Sequence, residues 1–275
     1  MLWNVTNLLL KIIKMKATKK PKILVFSGYG LNCEEETKYA FELAGGIADI
    51  VHINDLIDGV KKIKNYDILA FPGGFSFGDD TGSGKAYANK VRNHLWEDIS
   101  DHIKKNKLII GICNGFQILT NLGILPGALT YNDSARYMDR WVDIKIVSNK
   151  SPWLKGIDVL SLPIAHGEGK YFIEQDGLEK LKTEDSIAVK YTDGEICAYQ
   201  NLSKNPNGAL EDIAGVLSLS GNVLGMMPHP ERALFMHQLP NFQYLKEKSK
   251  RDGSKLPKYG PGFQIFKNAI DYFQL

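Results

Sequence analysis

A cysteine between two glycines, Gly111-Ile112-Cys113-Asn114-Gly115, is the first stretch of this sequence equipped for chemistry. The spacing is that of the G-x-S-x-G nucleophile elbow, with a thiol where the hydroxyl would stand. An elbow forces its nucleophile into a strained backbone conformation while neighbouring chain presses close, so glycines on both sides have a purpose. A helix starting at Asn114 would also turn its partially positive end toward the sulfur, which favours an anion there. A buried, inert cysteine is the commoner state of an intracellular thiol. The apolar run Leu108 to Ile112 before Cys113, and Phe116, Ile118, Leu119 and Leu122 after it, favour the nucleophile.

Two further stretches supply what a thiol nucleophile lacks. In Pro228-His229-Pro230-Glu231 an imidazole and a carboxylate stand two residues apart, on one side of an extended segment, between prolines that restrict φ. That pairing is a general base with its orienter. The loop Pro72 to Lys85 begins at the carboxyl end of a strand, where open α/β sheets place their sites. Its adjacent Gly73 and Gly74 can turn a backbone N–H toward a developing oxyanion. A phosphate cradle does not fit: Ala86 follows Lys85 where Ser or Thr is needed, and Asp79 and Asp80 would repel the anion. Gly28-Tyr29-Gly30-Leu31-Asn32-Cys33 is likewise a weak dinucleotide match, because Cys33 stands where a third glycine belongs.

The elements that must position these groups follow from the apolar pattern. Strands are expected at Lys22 to Ser27, Asp49 to Ile53, Asp67 to Phe71 and Leu108 to Ile112. Helices are expected at Glu34 to Ala44, Asp55 to Lys64, Ala86 to Lys104 and from Asn114 onward. The alternation predicts a parallel sheet with helices on both faces. Further strands are expected at Trp141 to Val147, Ser161 to His166 paired with Lys170 to Ile173, Ile187 to Tyr191, Cys197 to Tyr199, Ile213 to Ser218, and before Pro228. The second half is therefore more antiparallel. The fold class is α/β, a flavodoxin-like three-layer sandwich with a mostly parallel central sheet and added antiparallel strands.

A chain of 275 residues with 44% hydrophobic and 24% charged residues is ordinary for a soluble globular protein. Its net charge of +3 is too small to argue for nucleic acid or an anionic membrane. Three widely spaced cysteines give neither a disulfide framework nor a C-x-x-C metal spacing, which points to a reducing, cytoplasmic setting. Cys33 and Cys197 are read as packing, Cys33 close to the site. Residues 1–20 are read as an N-terminal extension: their apolar run is broken by lysines, too short for a membrane span, and followed rather than preceded by positive charge. Residues 21–275 are read as one domain.

Taken together, Cys113-Asn114-Gly115, Pro72-Gly73-Gly74 and Pro228-His229-Pro230-Glu231 resemble the class I, triad-type glutamine amidotransferase domain. Gly30-Leu31-Asn32-Cys33, Gly73 to Asp79, Cys113 to Gln117, Asn132-x-Ser134-x-Arg136, His166-Gly167-Glu168-Gly169 and His229 to Arg232 are similar, more narrowly, to the glutaminase subunits of phosphoribosylformylglycinamidine synthases. The resemblance implies hydrolysis of L-glutamine to glutamate and ammonia, with Cys113 attacking, His229 shuttling protons and Glu231 orienting His229. It implies oxyanion and substrate-binding roles for Gly73, Gly74, Asn114 and Gln117, and supporting roles for Phe75, Asn132, Ser134, Arg136, His166 and Glu168. No metal or cofactor is expected in this chain; ATP and Mg belong to a large synthetase subunit, with a third small subunit as an optional partner. Asp80 to Gly84 and Leu234 to Phe263 depart from stand-alone bacterial subunits and look more like the domain fused into the long single-chain enzyme. Two alternatives compete. The glutaminase of another amidotransferase, making GMP or CTP, would not need the motifs at 132–136 and 166–169. A flavodoxin-like interaction protein with an inert cysteine would not need His229 and Glu231.

Overall fold

The computed structural model describes residues 20–274, so the extension expected at 1–20 lies, apart from Lys20, outside the described residues. In chain order the elements are β1 (Lys22–Ser27), α1 (Glu34–Ala44), β2 (Ile47–His52), α2 (Ile53–Ile57), β3 (Ile68–Phe71), α3 (Lys85–His94), α4 (Trp96–Lys104), β4 (Leu108–Ile112) and α5 (Asn114–Asn121). There follow β5 (Ala128–Thr130), β6 (Met138–Ile146), β7 (Val159–His166), β8 (Lys170–Phe172), α6 (Gln175–Thr183), β9 (Ile187–Thr192), α7 (Glu195–Gln200), β10 (Ile213–Leu217), β11 (Val223–Met226), α8 (Phe242–Arg251) and α9 (Phe263–Tyr272). None of the described helices is long and apolar enough to cross a membrane.

Among the described residues, nine strands form one sheet in the order β2-β1-β3-β4-β11-β10-β9-β6-β7. Pairing is parallel from β2 to β11 and antiparallel from β11 onward. Burial explains where each sequence pattern went. Every residue of β3, β4, β10 and β11 is buried, as expected of continuous apolar runs covered on both faces. The edge strand β7 instead alternates buried with partly exposed residues, one face on the core. Strand order reverses at β1, so right-handed crossovers send α1 to one face and the crossover from β3 to β4 to the other. Helix α9 packs on α1, with Phe41 and Phe266 edge to face at 5.0 Å. In register, Phe71 lies beside Gly111 and Ile112 beside Met226, so β3, β4 and β11 end together. That common edge carries Gly73, Cys113 and His229.

Several expected elements differ. The helix expected over Ala86 to Lys104 breaks at Leu95 (φ −127°, ψ 6°), which buries its side chain while Glu97 and Asp98 open α4 at a favourable end. The helix expected to Lys64 stops near Ile57, because Gly59 takes a left-handed turn (φ 74°). Cys197 to Tyr199 is not a strand but part of α7. Buried Asp143 on β6 accepts hydrogen bonds from the N–H groups of Ile196 and Cys197 at 3.0 and 2.9 Å, capping a helix some fifty residues away. The pairing expected between Ser161 to His166 and Lys170 to Ile173 is also corrected: β7 pairs with β6, while β8 pairs with β5 in a separate two-stranded sheet.

Candidate active site

Cys113 sits between β4 and α5 with φ 51° and ψ −106°, a backbone conformation that costs a non-glycine residue energy and is seen where function requires it. The strain is held from both sides. Cys113 N–H donates to Met226 O at 2.8 Å, and Cys113 O accepts from Gln117 N–H at 3.1 Å in the first turn of α5. Gly115 lets that turn pass over β3, since a Cβ there would lie 1.9 Å from Phe71 O. The sulfur is almost covered and lies 3.6 Å from Ala165 O on β7.

His229 follows β11, and its backbone N–H donates to Pro163 O at 2.8 Å, tying it to β7. Its Nδ1 lies 2.6 Å from Glu231 Oε1, and both side chains are buried. With the carboxylate accepting, the proton belongs on Nδ1 and Nε2 is left to exchange one. Nε2 takes no hydrogen bond among the described residues. Burial opposes the imidazolium, but Glu231, Cys113 and Cys33 outweigh it and raise His229 well above the ordinary histidine value. Cys113, His229 and Glu231 are therefore brought together in one place, in the arrangement that a nucleophile, proton carrier and orienter would need.

Around them, α5 gathers two loops by hydrogen bonds. Asn114 Oδ1 accepts from Ser76 N–H at 3.1 Å, and its Nδ2 donates to Asp79 Oδ1 at 3.3 Å and Gln117 Oε1 at 2.8 Å. Gln117 Nε2 in turn donates to Glu168 O at 2.6 Å. Both ends of the Gln117 side chain are thus engaged within the protein. Gly74 (φ 148°) is pressed against the β1 loop, where a Cβ would lie 2.5 Å from Gly30 O. Gly73 O accepts from the N–H groups of Asn32 and Cys33, and Phe75 N–H donates to Gly30 O at 2.9 Å, which fixes the loop around Gly74.

The second loop hangs on Asn132. Its Nδ2 donates to Arg136 O and His166 O, and its Oδ1 faces His166 Nδ1 and Gly169 N–H, each at 3.1 Å. Asn207 Nδ2 closes the ring with a 2.8 Å bond to Gly169 O. Burial, reinforced by His229, lowers His166 to about 4, so it is neutral and structural in character. Phe75, Ser134 and Arg136 are exposed. Ser134 Oγ accepts only locally, from Arg136 N–H at 3.3 Å. The expected residues therefore divide: Cys113, His229, Glu231, Gly73, Gly74, Asn114, Gln117, Asn132, His166 and Glu168 converge, while Phe75, Ser134 and Arg136 stay at the surface.

Sequence reasoning missed three contributors. Asp79 bonds to Asn114, and burial together with nearby Glu168 raises its carboxyl above the usual range. Tyr137 lies 6.0 Å from Phe75, ring to ring, and its phenol is raised by burial and by the Cys113 sulfur. Asn207 reaches the site from a loop that carried no motif. Only the paired acidic residues at 79 and 168, both inside quoted motifs, offered a signal.

The profile of the CobB/CobQ-like glutamine amidotransferase domain matches residues 20–273. The phosphoribosylformylglycinamidine synthase subunit PurQ of Methanococcus maripaludis is 49% identical over 265 residues, covering 92% of this chain and 97% of that one. Its namesake in Dehalococcoides mccartyi is 40% identical over 262 residues, covering 92% and 98%. A chain of PurLQS from Thermotoga maritima, a solved structure, superposes with a TM-score of 0.68 at 31% identity, covering 92% and 99%. These subunits are matched over almost their whole lengths, so the likeness of Asp80 to Gly84 and Leu234 to Phe263 to a fused enzyme does not separate this chain from stand-alone relatives. A match from residue 20 to residue 273, joined to relatives nearly half identical over the same span, makes this chain a member of the CobB/CobQ-like glutamine amidotransferase family.

Proposed function

We propose that this chain is the glutaminase subunit of a phosphoribosylformylglycinamidine synthase, releasing ammonia from L-glutamine for a synthetase partner that consumes ATP. The observation that carries the reading is the buried 2.6 Å contact between His229 and Glu231 beside a cysteine held in a strained elbow. Cys113 Sγ attacks the side-chain amide carbon and its proton passes to His229 Nε2. The tetrahedral oxyanion is met by the backbone N–H groups of Gly74 and Asn114, donors worth about 3 kcal/mol each in acyl-transfer enzymes. His229 then protonates the leaving nitrogen, ammonia departs and a γ-glutamyl thioester remains. Water, deprotonated by His229, attacks the thioester; glutamate leaves and the thiol is restored.

Asn114, Gln117, Asn132, His166 and Glu168 hold the loops that shape the glutamine site, while Phe75, Ser134 and Arg136 face the substrate entrance and partner. ATP and Mg act on the synthetase, where formylglycinamide ribonucleotide becomes its amidine. Residues 21–275 act as one domain, with 1–20 outside it, in the cytoplasm. The test is glutamate release by the full chain, alone and with the synthetase. Cys113→Ser is expected to abolish glutamine-dependent synthesis while synthesis from ammonium salts survives. Normal use of glutamine by that variant would overturn the assignment.

A further inference from the structure

One buried group beside the triad has no part in the steps above. Cys33 immediately precedes α1 as its N-cap, and the residue is 1% exposed. It is not placed by loose packing. Its N–H donates to Gly73 O at 3.2 Å, and its carbonyl accepts from Thr37 N–H and from Thr37 Oγ1 at 3.1 and 2.7 Å. Its sulfur accepts a hydrogen bond from Arg232 Nη2 at 2.9 Å and donates to Asn32 Oδ1 at 3.5 Å. Burial works against the Arg232 guanidinium, but Cys33 and Glu231 more than compensate, so the cation is kept.

The sulfur also lies near the His229 imidazole. Cys33, His229 and Glu231 bring one side-chain ligand atom each within 4.8 Å of one another. At Gly73 the same neighbours converge, since a Cβ there would lie 2.7 Å from His229 Cε1 and 3.2 Å from Cys33 Sγ. Such a trio could in principle hold a thiophilic metal ion, but the Arg232 cation occupies the sulfur and would repel it. The cluster is two hydrogen-bonded pairs, Arg232 with Cys33 and His229 with Glu231, brought together with the Cys33 sulfur near the ring.

We propose that Cys33, held by Arg232, is a positioning residue for His229; the inference rests on the glutaminase reading. A single hydrogen bond from Nδ1 to Glu231 leaves the ring free to swing about that atom. A second support, the Cys33 sulfur gathered with the ring's Cε1 edge around Gly73, sets the tilt that carries Nε2 toward Cys113. Arg232 follows Glu231 directly, so the peptide that delivers the orienter also delivers the group that anchors Cys33. Serine can keep this geometry, because its hydroxyl accepts from Arg232; alanine cannot.

The experiment compares Cys33→Ala and Cys33→Ser with the unchanged full chain, alone and with the synthetase. It measures kcat and KM for glutamine and the downfield proton resonance of the His229 Nδ1–H. Cys33→Ala is expected to lower kcat about tenfold at unchanged KM, since misplacement of a reacting group by about 1 Å can cost about a hundredfold. It is also expected to move the Nδ1–H resonance, and Cys33→Ser is expected to restore both. Unchanged kcat in Cys33→Ala, or equal losses in both variants with an unmoved resonance, would overturn the positioning role. Absence of glutaminase activity in the unchanged chain would defeat the reading of the preceding section instead; the resonance comparison still decides whether Cys33 orients His229.

Discussion

Replacing Glu231 by glutamine isolates the electrostatic part of the catalytic chain, because it keeps size and one acceptor oxygen while removing the charge. In the native chain Oε1 lies 2.6 Å from His229 Nδ1, with both side chains out of solvent. Each time His229 takes the Cys113 proton, the imidazolium is paired at once with a buried carboxylate. Without that charge the largest influence left on the ring is burial, which disfavours the cation, with only the sulfurs of Cys113 and Cys33 still favouring it. Breaking a buried pair by removing one partner costs about 3–5 kcal/mol. If the loss falls on the transition state, it corresponds to a fall in kcat of about 10²- to 10⁴-fold. His229→Ala removes the proton carrier itself and is expected to cost more. The assay is steady-state glutamate production at saturating glutamine, with KM measured in parallel and thermal melting as a check on folding. Glu231→Gln is expected to leave KM near its native value, because Glu231 is assigned no contact with substrate. A variant within about threefold of native kcat, where at least 10² is expected, would refute the electrostatic role. A loss exceeding that of His229→Ala would mean the roles are assigned to the wrong residues.

Four other outcomes are expected. Gly115→Ala should abolish glutaminase activity and lower the melting temperature, because its Cβ would fall 1.9 Å from Phe71 O on backbone that cannot yield. Gln117→Ala should cost about 1–3 kcal/mol of stability, from buried partners left unpaired, and should make the 166–169 loop exchange amide protons faster. Thermal melts should show stability falling as pH drops from about 6.5 through 4: His166 and His102 are each lowered to about 4, so the unfolded chain binds more protons across that window. His166→Asn should flatten part of that slope. Finally, the chain alone should be a poor glutaminase and its complex a better one. A tenfold rise in the competent population needs only about 1.4 kcal/mol of differential binding, and equal turnover in the two would exclude such gating.

Much of the candidate site was legible because its residues are local in the chain. Cys113 with its glycines, and His229 with Glu231, are short motifs, and apolar runs such as Leu108 to Ile112 mark the strands that end beside them. What escaped is long-range. Asp143 caps α7 across more than fifty residues, so Cys197 to Tyr199 carried only its own strand-like apolarity. Strand β8 pairs with β5, which no pattern in either could announce. The Arg232 contact to Cys33 spans 199 positions, and Cys33 by itself looked like packing. The family resemblance implies an oxyanion- or substrate-binding role for Gln117, and its amide bonds to Asn114 and Glu168, partners that no motif announces. Motif membership identifies where a residue belongs but not which partner its side chain takes.

The central claim is that Cys113 carries the γ-glutamyl group. It is tested most directly by acid-quenching the complex during turnover with carbon-labelled glutamine, then mapping the label to a peptide by mass spectrometry. The predicted result is a γ-glutamyl adduct on the Cys113 peptide that disappears in Cys113→Ser. Label on another residue, or glutamate release by the Cys113→Ser variant at native rates, would contradict it.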